Sequence, residues 1–117
     1  MNTDTDQHVN MERKHKLQAE LKRFLPILIN QFKALKIIVF GSLAGNEVSE
    51  WSDLDIVVVR DTPLRFLDRI AELIQALQPQ VGVDFLVYTP EEWSRLIKEN
   101  LFVRQEIFEK GKELYAA

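Results

Sequence analysis

Cysteine is absent from the 117 residues, which excludes disulfides and thiolate-bound zinc. Histidine occurs twice. His8 lies in a polar N-terminal stretch and His15 on a charged helix face, so both read as solvated side chains. No apolar run approaches the roughly 20 residues that a membrane-spanning helix needs. Residues Met1–Asn10 lack the basic and apolar regions of a signal peptide, and a cytoplasmic protein without membrane contact is the expectation. A one-sided charge is missing too: 15 basic residues face 18 acidic ones, for a net charge of -3. That balance argues against holding long nucleic acid by charge alone. It remains compatible with a small anionic ligand carried by a divalent metal. Glycine and proline number four each, with no low-complexity segment and no internal repeat. What is present is an ordinary globular composition, 46% hydrophobic and 28% charged, in a length suited to one compact domain.

Met1–Asn10 reads as a loose tail, and residues 11–117 as a single domain. From Met11 to Ala34 apolar residues recur at helical spacing, Leu17, Leu21, Phe24 and Leu28 among them. Pro26 should kink this run or start a second helix. Lys36–Phe40 and Asp55–Arg60 are short, β-branched and apolar, and read as buried strands. About a dozen polar, loop-forming residues separate them, so an antiparallel pairing is the easier one. Thr62 and Pro63 read as the cap and first residue of a helix whose stripe is Leu64, Leu67, Ile70, Ala71, Ile74 and Leu77. Val83–Tyr88 is a third strand, parallel to the second because a helical crossover joins them. Thr89-Pro90-Glu91-Glu92 is a capping box, and Trp93, Leu96, Ile97 and Leu101 form a buried face behind it. A last helix should run to about Lys110 and stop at Gly111, with Leu114 and Tyr115 in a short edge strand. The whole reads as an α+β domain, a small mixed sheet covered by helices.

Asp53 and Asp55 stand two residues apart at the entrance to an apolar strand, on one face of it. Two such carboxylates repel each other and resist burial unless a cation sits between them, and hard divalent cations choose these ligands. Asp84 interrupts another apolar strand at a position that neighbours the pair if the strands are adjacent. Three carboxylates there could hold two magnesium ions for phosphoryl or nucleotidyl transfer. Taken singly, each acid is more simply a strand-end or turn residue, Asp84 on an exposed face of an edge strand and Asp53 in a local turn with Ser52. Gly41-Ser42 follows the first strand directly. A glycine lets backbone approach a phosphate, and a serine hydroxyl with the following N–H groups can bind its oxygens. Trp51 is expected to pack or to meet a partner, and Trp93 to join the core. The basic residues Arg13, Lys14, Lys16, Lys22 and Arg23, interleaved with Glu12 and Glu20, read as a solvated helix face. Phe102 and Phe108 belong to the core or to a protein interface.

Phe40-Gly41-Ser42, nine residues, then Ser52-Asp53-Leu54-Asp55-Ile56-Val57-Val58 resembles the signature of the DNA polymerase β-like nucleotidyltransferases. It is most similar to their minimal prokaryotic group, the MNT proteins, and Asp84 matches the third carboxylate. The resemblance spans roughly Leu21 to Tyr115. It implies that fold, with Gly41, Ser42 and Ser52 at the nucleotide, Asp53, Asp55 and Asp84 as catalytic residues and ligands of two Mg2+ ions, and AMP transfer from ATP to a hydroxyl of a partner protein. Many members of the group are antitoxins that pair with a HEPN-type toxin, so such a partner is implied as well, with a homodimer as a further option. An antitoxin that neutralises by binding, with weak or no turnover, is the alternative. Many members carry arginines two and four residues after the first glycine and a second glycine after those; here Leu43, Gly45 and Asn46 stand there. Lys36, Arg60 and Arg65 are the candidate replacements for that lost charge.

Overall fold

A computed structural model of the chain describes residues 3–117, with side chains from Asp6 onward. The elements in order are α1 (Thr3–Asn30), β1 (Lys36–Phe40), α2 (Gly41–Ala44), β2 (Leu54–Val59), α3 (Phe66–Leu77), β3 (Val83–Tyr88), α4 (Pro90–Glu99), a π-helical segment (Val103–Glu109) and β4 (Lys112–Ala116). The four strands make one sheet in the order β3-β2-β1-β4. β1 is antiparallel to both β2 and β4, whereas β2 and β3 are parallel. The mixed α+β sheet and its pairing senses are those expected from the apolar runs and the lengths between them.

β2 is buried on both faces, which is why its run is continuously apolar. Ile56 and Val58 join Leu54, Phe85 and Val87 in the core beneath α1 and α3. Val57 and Val59 face the other way, against Trp93 of α4 and Val103 and Ile107 of the π-helical segment. Asp55 shares the parity of Val57 and therefore emerges on the second face.

Several expectations are corrected. Residues 3–10 are the first turns of α1 rather than a loose tail, while Met1 and Asn2 lie outside the described residues. Asp6 complements the positive end of the helix, and a His8–Glu12 contact of 3.0 Å supports the next turn. Pro26 neither ends nor divides α1. It lies in the last turns at an exposed position, as does Lys22, so water can reach the carbonyl that lost its donor. α3 begins at Phe66 rather than Pro63. Thr62 Oγ1 instead accepts from Leu64 N at 3.2 Å in a local turn, a competing use of such a side chain. The buried stripe of α3 is Arg69, Leu73 and Leu77, with Leu67 and Ile74 exposed. Beyond α4, Asn100 breaks the helix and its Oδ1 accepts from Val103 N at 3.0 Å. Leu101 is left exposed, and the expected last helix takes a π-helical form.

Thr89 and Glu92 form the expected capping box. Arg69 is buried against it, donating to Glu92 Oε1 at 2.6 Å, to Leu64 O at 2.8 Å and to Val87 O at 3.1 Å. The Arg69 guanidinium holds the Glu92 carboxyl below the usual range against the opposing pull of burial. Removing one partner from such a pair leaves a stranded charge. Arg69→Ala should therefore lower the unfolding free energy by about 3 kcal/mol or more, measured by urea denaturation at pH 7. A loss under about 1 kcal/mol would show that this corner of the fold does not depend on the pair.

Candidate active site

β1 ends at Phe40, whose cross-strand partner is Asp55. The next residue, Gly41, has φ +72, a backbone region that glycine enters without steric cost. A Cβ on Gly41 would also collide with the Asp55 carboxylate. Gly41 is required on both counts. The chain then makes the single turn α2, closed by Gly45 N donating to Gly41 O at 3.0 Å and Glu47 N to Ser42 O at 2.8 Å. Leu43 anchors it in the core. Beside the turn lies a cleft of about 350 Å³ bordered by Gly41, Ser42, Ala44, Gly45, Glu47, Glu106 and Lys110.

Across the parallel β2–β3 pair, Asp55 and Asp84 are direct register partners. Burial pushes the Asp55 carboxyl up to about 6, with further upward pressure from the charge of Asp84, a hydrogen bond to it, and the charge of Asp53. Asp84 is exposed, and β3 is an edge strand. It thus meets the bland description of an edge-strand acid and also touches the site.

Asp53 is placed differently. It precedes β2, where Leu54 N donates to Gly82 O at 2.9 Å. A Cβ on Gly82 would strike the Asp53 carboxylate, so this glycine gives the acid its space. On its other side Arg13 of α1 donates to Ser52 O at 2.8 Å and places its Nη2 3.6 Å from Asp53 Oδ1. Held in this way, Asp53 does not close with Asp55 and Asp84 on a common point. Among the described residues no three His, Asp or Glu side chains converge as a metal-ready cluster. The Ser52 hydroxyl is engaged with Ser49, accepting from its N at 2.9 Å, and Ser52 does not border the Gly41–Ser42 cleft.

The charges of α1 are therefore more than a solvated face. Lys14 donates to Asn46 Oδ1 at 2.7 Å. Arg23 pairs with the buried Glu20 at 2.8 Å and donates to Leu77 O, and Glu20 accepts from Gln80 N. The long-range contacts among these join residues 32 to 60 positions apart, beyond the reach of any local pattern. Two of the proposed replacement cations are committed elsewhere: Lys36 pairs with Glu113 and Arg60 with Glu72, each at 2.8 Å. Arg65 stands at the N-cap position of α3 without a side-chain cap bond and does not border the cleft. Trp93 is in the core as expected, whereas Trp51, beside Ser52, is 82% exposed. Phe102 and Phe108 are exposed as well.

Known proteins resemble the chain along most of its length. The nucleotidyltransferase domain family model matches residues 21–113. A protein of Methanocaldococcus jannaschii called a "putative protein adenylyltransferase" is 30% identical over 98 residues, covering 81% of this chain and 94% of its own. Among solved structures, a "putative nucleotidyltransferase" from Sulfolobus solfataricus superposes with a TM-score of 0.65 at 18% identity, over 92% of this chain and 87% of that one. A toxin–antitoxin structure with AMP-PNP superposes with a TM-score of 0.54 at 22% identity, over 82% and 73%.

Asp55 should titrate near pH 6 in the metal-free protein, read from its side-chain carbon by NMR. Because its folded value is raised, its contribution to stability is full below about pH 4 and is lost as pH rises through about 6. Asp84→Asn should bring the midpoint down by removing the second-largest cause. An unchanged midpoint would mean that the two carboxyls do not sense each other.

Proposed function

We infer the chemistry from family and site together: this chain belongs to the nucleotidyltransferase domain family, and we propose that it transfers AMP from ATP to a hydroxyl of a partner protein, as antitoxin to a HEPN-type toxin. The observation that carries this reading is the closure of Gly41 onto Asp55 with Asp84 in register beside it. A phosphate-approachable turn and a strained pair of acids then share one corner. The M. jannaschii relative, named for protein adenylylation, supports the kind of acceptor. The toxin–antitoxin neighbours support the kind of partner.

The donor set is all carboxylate oxygen, and Asp55 is pushed toward its neutral form by burial and by neighbouring acids. Such a pair suits a hard divalent cation. Asp55 and Asp84 would hold Mg2+, and Asp53, whose charge acts on Asp55, would complete the set. A bound magnesium would screen phosphate charge and align the triphosphate. The Gly41–Ser42 turn would seat phosphate oxygens against its backbone N–H groups and the Ser42 hydroxyl. The acceptor hydroxyl oxygen forms a bond to the α-phosphorus, the bond from that phosphorus to the bridging oxygen breaks, and pyrophosphate leaves. Asp84, exposed at the sheet edge, would take the hydroxyl proton. The exposed Trp51 stands next to Ser52 and Asp53 and offers an apolar surface to a protein acceptor.

A second reading, neutralisation by binding alone, is favoured by one observation. Leu43 is buried where many relatives have a phosphate-binding arginine, and Gly45 has no side chain to offer.

Incubation with α-labelled ATP, magnesium and the product of the adjacent gene should label that product. Asp55→Asn and Asp84→Asn should each reduce labelling by about 100-fold or more. Protein that binds ATP but labels no partner would overturn the transfer reading. Undiminished neutralisation by Asp55→Asn would establish the binding reading in its place.

A further inference from the structure

The cleft beside Gly41–Ser42 has a second wall, built from the far end of the chain. Glu106 and Lys110 border it opposite α2. Among the described charged residues that border the cleft, Glu47 and Glu106 are acids and Lys110 is the cation. The backbone that carries Lys110 is well fixed. Val103 and Ile107 anchor the π-helical segment in the core, Lys110 N donates to Gln105 O at 3.2 Å, and Gly111 N donates to Ile107 O at 2.9 Å. Immediately afterwards β4 pairs with β1. A Cβ on Gly111 would strike the Ile107 carbonyl and approach Ile38, so the turn after Lys110 is pressed onto the sheet. π-Helical turns are rare and often occur where a side chain must be set at a functional position.

The side chain itself is freer. Lys110 Nζ lies 2.9 Å from Glu106 Oε1, with the two side chains 68% and 44% exposed. An exposed pair of this kind is held weakly, because water screens it. A polyphosphate in the cleft brings several negative charges within hydrogen-bonding reach of the same ammonium, and such charge-assisted bonds are the stronger ones.

We propose that Lys110 is the cation that binds the β- and γ-phosphates of a nucleoside triphosphate seated on Gly41–Ser42, and that Glu106 competes with the nucleotide for it. The inference rests on the nucleotidyltransferase reading above. It supplies, from the C-terminal wall, the charge that positions 43 and 45 lack. It also gives Glu106 a role of opposite sign: this carboxylate weakens binding by occupying Lys110 and by repelling phosphate.

The test is equilibrium binding by calorimetry, with magnesium present, using ATP and AMP as separate probes. Lys110→Ala should weaken ATP about tenfold and leave AMP within about twofold, since AMP lacks the phosphates concerned. Lys110→Arg should retain ATP binding within about threefold. Glu106→Gln should tighten ATP by about two- to fivefold. Thermal midpoints of these exposed-site variants should stay close to that of the parent chain, which separates a binding effect from a folding one. Unchanged ATP affinity in Lys110→Ala overturns the proposal. Equal losses of ATP and AMP overturn it too, because they indicate a general disturbance of the cleft. Weaker ATP binding in Glu106→Gln would make Glu106 a ligand-side group and also overturn it. If the parent chain binds none of ATP, GTP, CTP and UTP, the nucleotidyltransferase reading fails and takes this proposal with it.

Discussion

The parallel ladder between β2 and β3 puts Asp55 opposite Asp84, and most of the site follows from that pairing. The ladder cannot slip to relieve their repulsion. A shift by one residue would turn Ile56, Val58, Phe85 and Val87 out of one core and expose Val57 and Val59 of the other. The apolar residues of the two strands thus fix the spacing of the acids. The strain is confined to one corner, where Gly41 has no side chain to compete for the space of Asp55.

The long first helix then acts as a brace. Arg13 grips the loop before β2, Lys14 grips the loop after α2, and Arg23 with Glu20 grips the connection between α3 and β3. The first two are the ends of one connection, α2–β2, and both connections flank the carboxylates. Charged side chains of α1 hold them, together with Val48 and Val81 packed against the core. These contacts also hold Asp53 beside Gly82, where its charge still acts on Asp55.

Much of this was legible in the chain. The strands were marked by short β-branched runs, β1 and β3 at their observed boundaries and β2 one residue later than observed, and Thr89 with Glu92 announced a helix start that the structure contains. Their pairing senses followed from the lengths between them. The candidate site drew notice through Gly41, Asp55 and Asp84, because each is an odd residue for an apolar strand or its exit, and the fold brings the three together. What could not be read depended on distant partners. Nothing local marks Gly82, and only the fold brings it against Asp53. Arg13 looked solvated, since its partners lie 39 residues on. Arg69 sat in a stripe that periodicity assigned to Leu67 and Ile74, because its buried length and its pairing with Glu92 are tertiary facts. The π-helical form of residues 103–109 leaves no pattern in hydropathy that distinguishes it from an α-helix.

Asp84 also lies on the open rim of the sheet. β3 presents one side of its backbone to solvent, on a strand that otherwise reads Val83, Phe85, Leu86, Val87 and Tyr88. Such a rim invites another strand to dock, and a charge on it discourages this. The acid that crowds Asp55 is thus also a charge of the kind that discourages edge-to-edge pairing. Loss of the Asp84 carboxylate would remove that charge from the rim and leave an apolar edge strand.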